Sequence, residues 1–543
     1  MTAKPLLVRT ASPLPNSIST SIMPWAIINK FYPRACENRL DISHPEVKAF
    51  RAKFFRAALL NFVIYILLFF CLFCYLYGTL FQQVPRTHNL HILWVDYDGG
   101  IIGDAVRNAY NSLRSHEFPT LIERSASQYP TPNDLREAVC NTHFWAALYT
   151  SPGASVALGL AIAGSNTSQY NTSDVLTYVW NEAKYPTVMD SAISNNMHTL
   201  SDAARVSYIA LNGTSAFLTI PPNNSAAIST FTNPWTLTSI NIKPTVQGTR
   251  TVYNTVAIVL ILIEDFFYLA TINGLYAQFR VYSRIAPVRI ILVRDAISIT
   301  FTMLGSLVNS AAIWAFKANW RVSGGQFALN WLIIWLLAHT NFLVFDVFTI
   351  WIPPQYVSMA LVSWIVMNIS SIILPFSVSS PFYRWGYALP AHAAYELLTD
   401  NWSSGCNPHL SYALPVLFSY EVIGLILTAI GVYKRCHNAS ILEETTKEAM
   451  RLRVEAALEQ EREQDTFEAE ESSEKDSQHP GTGEPSRATT NTGAFEGDNE
   501  ASRRQRRQSN VEALDGEIRR IETRASMLSN IGPTFRLIGS EDN

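Results

Sequence analysis

The sequence has no G-x-x-x-x-G-K-[ST], no H-E-x-x-H and no G-x-S-x-G, and no cluster of cysteines and histidines at metal-ligand spacing, since Cys71 and Cys74 stand by themselves in an apolar run. Without the first, the chain has no phosphate cradle of its own for ATP. Without the others, the common metalloprotease and serine-hydrolase chemistries lack their metal or nucleophile. No catalytic residue, metal or cofactor is assigned, and the chain reads as a non-enzyme. Net charge is also scarce, at -3 over 543 residues, and nothing in it points to nucleic acid as a partner. That balance hides a polarised layout: cations cluster at the ends of apolar runs, the middle is nearly uncharged, and the tail is dense in charge.

What the chain has is apolar length. Its hydrophobic share is 48%, and its 13 tryptophans gather in discrete stretches. A membrane-spanning helix needs roughly 20 apolar residues, and 57–81 supplies them. That run is too long and begins too late for a signal peptide, so it reads as an uncleaved anchor. Lys48, Arg51, Lys53 and Arg56 precede it and place segment 1–56 in the cytosol. Asp41 or Ser43 would cap the helix that carries them.

Residues 82–252 hold no spanning run and are expected to form an extracytoplasmic domain. Strands are predicted over 90–98, 118–123 and 144–150. Helices are predicted over 101–113, from Thr131-Pro132-Asn133-Asp134 onward, and at 174–183 and 191–211. The alternation fits a small α/β or α+β fold.

Region 253–433 reads as five further spans, at about 253–273, 290–316, 327–349, 356–376 and 412–433. Arg280, Arg284, Arg289 and Arg294 put the first connecting loop inside. Pro353-Pro354 separates the fourth and fifth spans. Segment 381–402, within outer loop 378–411, is too polar and proline-marked to span and reads as an interfacial or re-entrant piece. The fold class expected is a polytopic α-helical membrane protein of six spans, one and then five, with both termini cytosolic. Tail 434–543 is charged and largely disordered, with a charged helix over 441–464 and a short amphipathic one around Val511, Leu514, Ile518 and Ile521.

Adjacent acids in the middle of the second span, Glu264 and Asp265, are the leading functional candidates, because a charge at membrane depth costs several kcal/mol unless it faces protein or water. In a dry interior they would suit a proton-linked role. Helical spacing puts Glu264, Tyr268 and Thr271 on one face, Asp295 and Asn309 on one stripe of the third span with Ser298, Thr302, Gly305 and Ser306, and His339 with Asp346 on one face of the fourth. A polar path between these spans is one reading; helix–helix packing by small and polar residues is the other.

Sequons at Asn166, Asn171, Asn212, Asn223 and Asn401 suit an outer face, although the same tripeptide occurs at Asn368 and Asn438, where no glycan belongs. Cys140 and Cys406 are the two cysteines on that face. They pair only if the fold brings them within the few ångströms a disulfide needs, and the sequence leaves that open.

The order of parts, with VDYDGGIIGDAV opening the outer domain, FWAALYTSPGAS within it and YALPAHAAYE before the last span, resembles the fungal nitrosoguanidine-resistance family of the DUF3533 type. More distantly it resembles the YhgE/Pip and ABC-2 membrane proteins. The likeness covers about 41–437. It implies a multi-pass plasma-membrane protein that confers tolerance to toxic small molecules as an export permease without its own ATPase. A separate nucleotide-binding subunit or a homo-oligomer, membrane lipids and a small-molecule substrate would be its partners. The alternative it leaves is a membrane-organising or regulatory protein that affects lipid distribution or recruits partners.

Overall fold

The computed structural model describes residues 44–45, 47–165, 170–245, 252–317, 319–476, 518 and 520–521. The segment before residue 44, the sequon at Asn166 and most of the tail beyond 476 lie outside the described residues. The chain parts into two compact units, 1–71 and 72–543. What is described of the first is the leading part of helix α1 (Val47–Leu80), a candidate span over Arg51–Leu80 whose large apolar side chains, Phe54, Leu59, Phe62 and Phe70 among them, are exposed. So large an apolar surface is unfavourable in water and suits lipid.

The second unit begins with a five-stranded sheet. Its strands are β1 (His91–Asp96), β2 (Thr120–Arg124), β3 (Ala146–Thr150), β4 (Leu176–Trp180) and β5 (Leu237–Asn241), in the order β2-β1-β3-β4-β5. All neighbouring pairs are parallel except β3 with β4. The run HILWVD and the fully buried β3 and β4 lack the alternation of a half-exposed strand because both faces are covered. Helices α2 (Ile101–Leu113), α3 (Pro132–Cys140), α4 (Ala154–Ile162), α5 (Asn195–Leu218) and α6 (Ser225–Thr232) supply the cover. Thr131 and Asp134 close a capping box on α3.

The turn after β1 is held by two acids. Asp96 accepts from Thr150 (2.5 Å), the Gly99 N–H (3.0 Å) and Arg107 (2.8 Å), while Asp98 accepts from the Ser155 N–H (2.9 Å). Gly99 sits at φ +62°, and Gly103 lies directly beneath the Asp96 carboxylate, where a Cβ would collide.

One expectation fails here. Segment 174–183 is not a helix: 176–180 form the interior strand β4, between β3 and β5. Its Leu-Thr-Tyr-Val-Trp content is that of a buried strand, and the helical spacing read there is the ambiguity of any short apolar run.

The membrane part comprises α7 (Ala257–Gln278), the short α8 (Val281–Arg284), α9 (Pro287–Ala315), α10 (Gly324–Trp351), α11 (Pro354–Ile373), α12 (Pro390–Trp402) and α13 (Leu410–Asp476). Prolines open α9, α11 and α12, and Ser323 caps α10 with Gln326 closing the box. Gly424 and Gly431 of α13 let it approach Leu343 and Ile350 of α10, seven residues apart on each helix.

Two segments differ from expectation. Region 381–402 divides in two: 381–388 exposes Phe382, Trp385 and Tyr387, whereas α12 has nearly every side chain buried, from Ala391 through Trp402, and forms the seat of the sheet domain. Its polarity reflects internal partners rather than contact with water. The tail does not begin with a separate helix, because α13 runs unbroken from the last span through Asp476, past the point at which the composition turns charged. No proline or glycine stands between 434 and 476 to stop it.

The sheet domain docks on α12 through the connection after β4. Asn181 donates to the Cys406 carbonyl (3.1 Å), the Tyr185 N–H donates to the Tyr395 hydroxyl (3.0 Å), and Trp402 donates to the Tyr253 carbonyl (3.0 Å). A disulfide joins Cys140, at the end of α3, to Cys406. At the centre of this seat, buried Glu396 meets His409 (2.8 Å) and Asn407 (2.6 Å), with His392 at 3.7 Å. Burial by itself would raise the Glu396 pKa, but the hydrogen bond from His409 and the nearby charges of His392 and Lys184 override it and hold it at about 2. Burial lowers both His392 and Lys184.

A carboxylate held down from 4.5 to about 2 contributes stability that is complete above its unfolded value and is lost as pH falls through that interval. Thermal unfolding should therefore show Glu396→Gln less stable than the native protein by on the order of 3 kcal/mol at pH 6, with the gap narrowing by pH 3. A constant gap would mean that the carboxylate is not ionised in the fold.

Candidate functional site

Helix α10 is the most deeply buried of the spans, as a helix at the centre of a bundle must be. Successive residues on a helix point about 100° apart, and three in a row use this to reach different neighbours. His339 Nε2 lies 3.1 Å from Ser298 Oγ of α9, and its Nδ1 lies 2.6 Å from Glu421 of α13. Thr340 donates to the other Glu421 oxygen (3.2 Å). Asn341 donates to Asp265 of α7 (2.9 Å) and accepts from the Trp364 indole of α11 (3.0 Å).

Roughly a turn and a half further along α10, Asp346 is at the centre of an ionic cluster. One carboxylate oxygen meets Arg294 Nη2 (2.7 Å) and Arg435 Nη1 (3.1 Å), and the other accepts from Arg294 Nε (3.1 Å). Arg294 also donates to Asn273 (2.9 Å), and Arg435 donates to Thr349 (2.6 Å) and Tyr282 (3.0 Å). The Tyr276 and Phe342 rings flank Arg294 at 5.2 and 5.7 Å. Removing ions from water costs several kcal/mol each, and only a nearly complete set of partners makes such burial tolerable. This cluster has that set, drawn from α7, α8, α9, α10 and α13.

The residues singled out in the sequence fall into separate places. Glu264 and Asp265 do not act as a pair: Asp265 is buried against Asn341, while Glu264 is half-exposed and faces Gly305 of α9. Thr271 donates to its own helix at Phe267. Tyr268 stacks on Phe301 at 3.7 Å between ring centres. Asn309 donates to the Ala257 carbonyl (3.2 Å). Asp295 is half-exposed one turn from Ser298, whose hydroxyl donates to the Asp295 carbonyl (2.9 Å). His339 and Asp346 share α10 but serve different networks.

Three partners escape a reading of the sequence. Glu421 is an acid inside the apolar run of the last span, the same signal that marks Glu264. Arg294, which its position groups with the loop cations, is instead buried inside α9, as is Arg435 inside α13. Among the sequons, Asn401 is buried and its side-chain nitrogen, the atom a glycan would occupy, donates to the Gln326 carbonyl (2.9 Å). It is therefore removed as an acceptor. Asn171 and Asn223 are exposed and Asn212 is half-exposed.

Among the described residues, six helices long and apolar enough to cross a bilayer, with polar side chains buried among the later ones, mark a multi-pass membrane protein. Residues 61–426 match DUF3533, a family described as protein of unknown function, and the chain belongs to that family. It is also similar to an uncharacterized endoplasmic reticulum membrane protein of Saccharomyces cerevisiae, with 20% identity over 286 residues covering 49% of this chain and 55% of the relative. The chain thus spans about half the length of that curated relative. No solved structure matches it.

Neutralising Asp346 would leave two guanidiniums facing each other in a dry interior. Asp346→Asn is expected to cost about 3–5 kcal/mol, read as a lower melting temperature of the purified protein, whereas Glu264→Gln should stay within about 0.5 kcal/mol. Equal melting of the two variants would show that the cluster is not what holds these helices.

Proposed function

We propose that the protein is a transporter, an export permease for toxic small molecules, rather than an enzyme. The observation that carries this reading is the Ser298–His339–Glu421 chain, a buried imidazole paired with a half-buried carboxylate between three spans. An acid–histidine pair at membrane depth is costly as mere helix packing and well suited to passing a proton. Half-exposed Asp295, one turn from Ser298, gives that chain an opening toward the surface of α9. Proton coupling would supply the energy that a chain without a phosphate-binding loop cannot draw from ATP by itself. In the ABC-2-like form of the same reading, a separate nucleotide-binding subunit supplies it, and the protein works as a homo-oligomer.

The cation distribution supports cytosolic termini with the sheet domain on the outer or lumenal face. The Cys140–Cys406 bridge agrees, since it joins two segments assigned to that face and disulfides persist in oxidising compartments. The resemblance puts the protein at the plasma membrane, and the yeast relative's name puts that relative in the endoplasmic reticulum. Imaging of the tagged full chain separates the two.

A second reading, a membrane-organising protein that recruits partners, is favoured by the length of α13 beyond the bilayer. Efflux of a labelled toxic compound from cells distinguishes them. Glu421→Gln, at normal membrane level, is expected to lower efflux and tolerance at least about a hundredfold, the low end of the range by which losing a positioned acid–base group slows a proton transfer. Deletion of 447–543 should leave both largely intact. The reverse pattern would sink the transport reading in favour of recruitment.

A further inference from the structure

A groove of about 950 Å³ opens between the last turn of α7, the α8 corner and the α13 segment from Ala439 to Val454. Its size is at the upper end for ligand pockets. Four cations line it: Arg280, Arg284, Lys447 and Arg451. Facing them is one acid, Glu443, which already pairs with Lys447 at 2.9 Å. The Arg280 backbone sits at φ +49°, a conformation that residues other than Gly, Asn and Asp seldom adopt.

The floor has the opposite character. Leu442, Met450 and Val454 line it at helical spacing, and Met450 and Val454 are 67% and 53% exposed. An apolar stripe on a helix that has passed its last membrane-length run, at the point where α7 also ends, is unfavourable in water. Apolar floor and cationic rim together match one kind of molecule, an amphiphile with an anionic head. Cations at a span end attract acidic headgroups, and the apolar wall takes the first methylenes of the chains.

We propose that this groove binds an anionic phospholipid, with the phosphate between the α8 and α13 cations and the acyl chains along Met450 and Val454. The site lies apart from the Ser298–His339–Glu421 chain, so the inference stands whether or not the transport reading does.

Native mass spectrometry of the full-length purified protein, titrated with phosphatidylserine or phosphatidylcholine, tests it. Native protein should retain phosphatidylserine preferentially. Arg280→Gln with Arg284→Gln, and separately Lys447→Gln with Arg451→Gln, should each weaken that binding about thirtyfold for two cations removed and leave phosphatidylcholine unchanged. Arg280→Lys with Arg284→Lys should keep it, which guards against a merely unfolded variant. Met450→Trp, which fills the floor and spares the charges, should weaken it as well. Four results overturn the proposal: equal retention of the two lipids by native protein; indifference to the charge variants; displacement by inorganic phosphate at matched concentration, which would make this a free-anion site; or phosphatidylserine binding that appears only after deletion of 477–543, which would make the tail its occupant.

Discussion

The carboxylate of Asp346 is the point on which the membrane part converges. Two guanidiniums approach it from α9 and α13, and further donors of theirs go to Asn273, Tyr282 and Thr349. A charge in this position cannot tolerate a partner's leaving, because whichever ion stayed behind would face hydrocarbon or protein with nothing to replace the lost bonds. The ends of α7, α9 and α10, the short α8 and the middle of α13 are thereby fixed in register, and the looser contacts further along, including the His339–Glu421 pair, inherit that register. Attraction of this kind also distinguishes one bundle arrangement from others that would bury equal apolar area, which in lipid carries little preference of its own.

The sheet domain depends on a different constraint. One face of the sheet has a core of its own with α3, around Leu93, Val95, Ala147 and Val179, while the core on the other face runs on into the bundle, which the domain meets through a helix that is itself interior. Helix α12 carries Tyr395, Glu396 and Trp402 inward at once, toward the connection after β4, toward His409 and toward Tyr253. A covalent bridge closes the same seat from the other side. The domain is consequently anchored at its base and not tethered by a flexible stalk.

Much of this is legible in the sequence because it rests on local signals. Apolar length marks the six helices, proline and serine mark where several begin, and the Thr131 cap and the HILWVD run mark α3 and β1 within a residue or two. What is not legible depends on contacts between distant segments. Nothing local tells that Arg294 belongs to an ion pair and not to the basic loop beside it, since the distinction lies in Asp346, 52 residues away. Segment 390–402 is read as more exposed than it is for the same reason: polar side chains signal water only when their partners are unknown. Glu421 is different. Its signal is local and of the kind that draws attention to Glu264, and Glu264 is the half-exposed member of its pair.

The unbroken run of α13 from Leu410 to Asp476 has a mechanical consequence. At about 1.5 Å per residue, the part beyond Gly424 is a rod on the order of 75 Å long, fastened to α10 at Gly424 and Gly431 and to the ionic cluster at Arg435. A tilt of roughly 10° about those fastenings would sweep its far end through more than about 10 Å. Small rearrangements among the buried ions would thus be amplified into large displacements outside the bilayer, with the helix serving as a lever between the two.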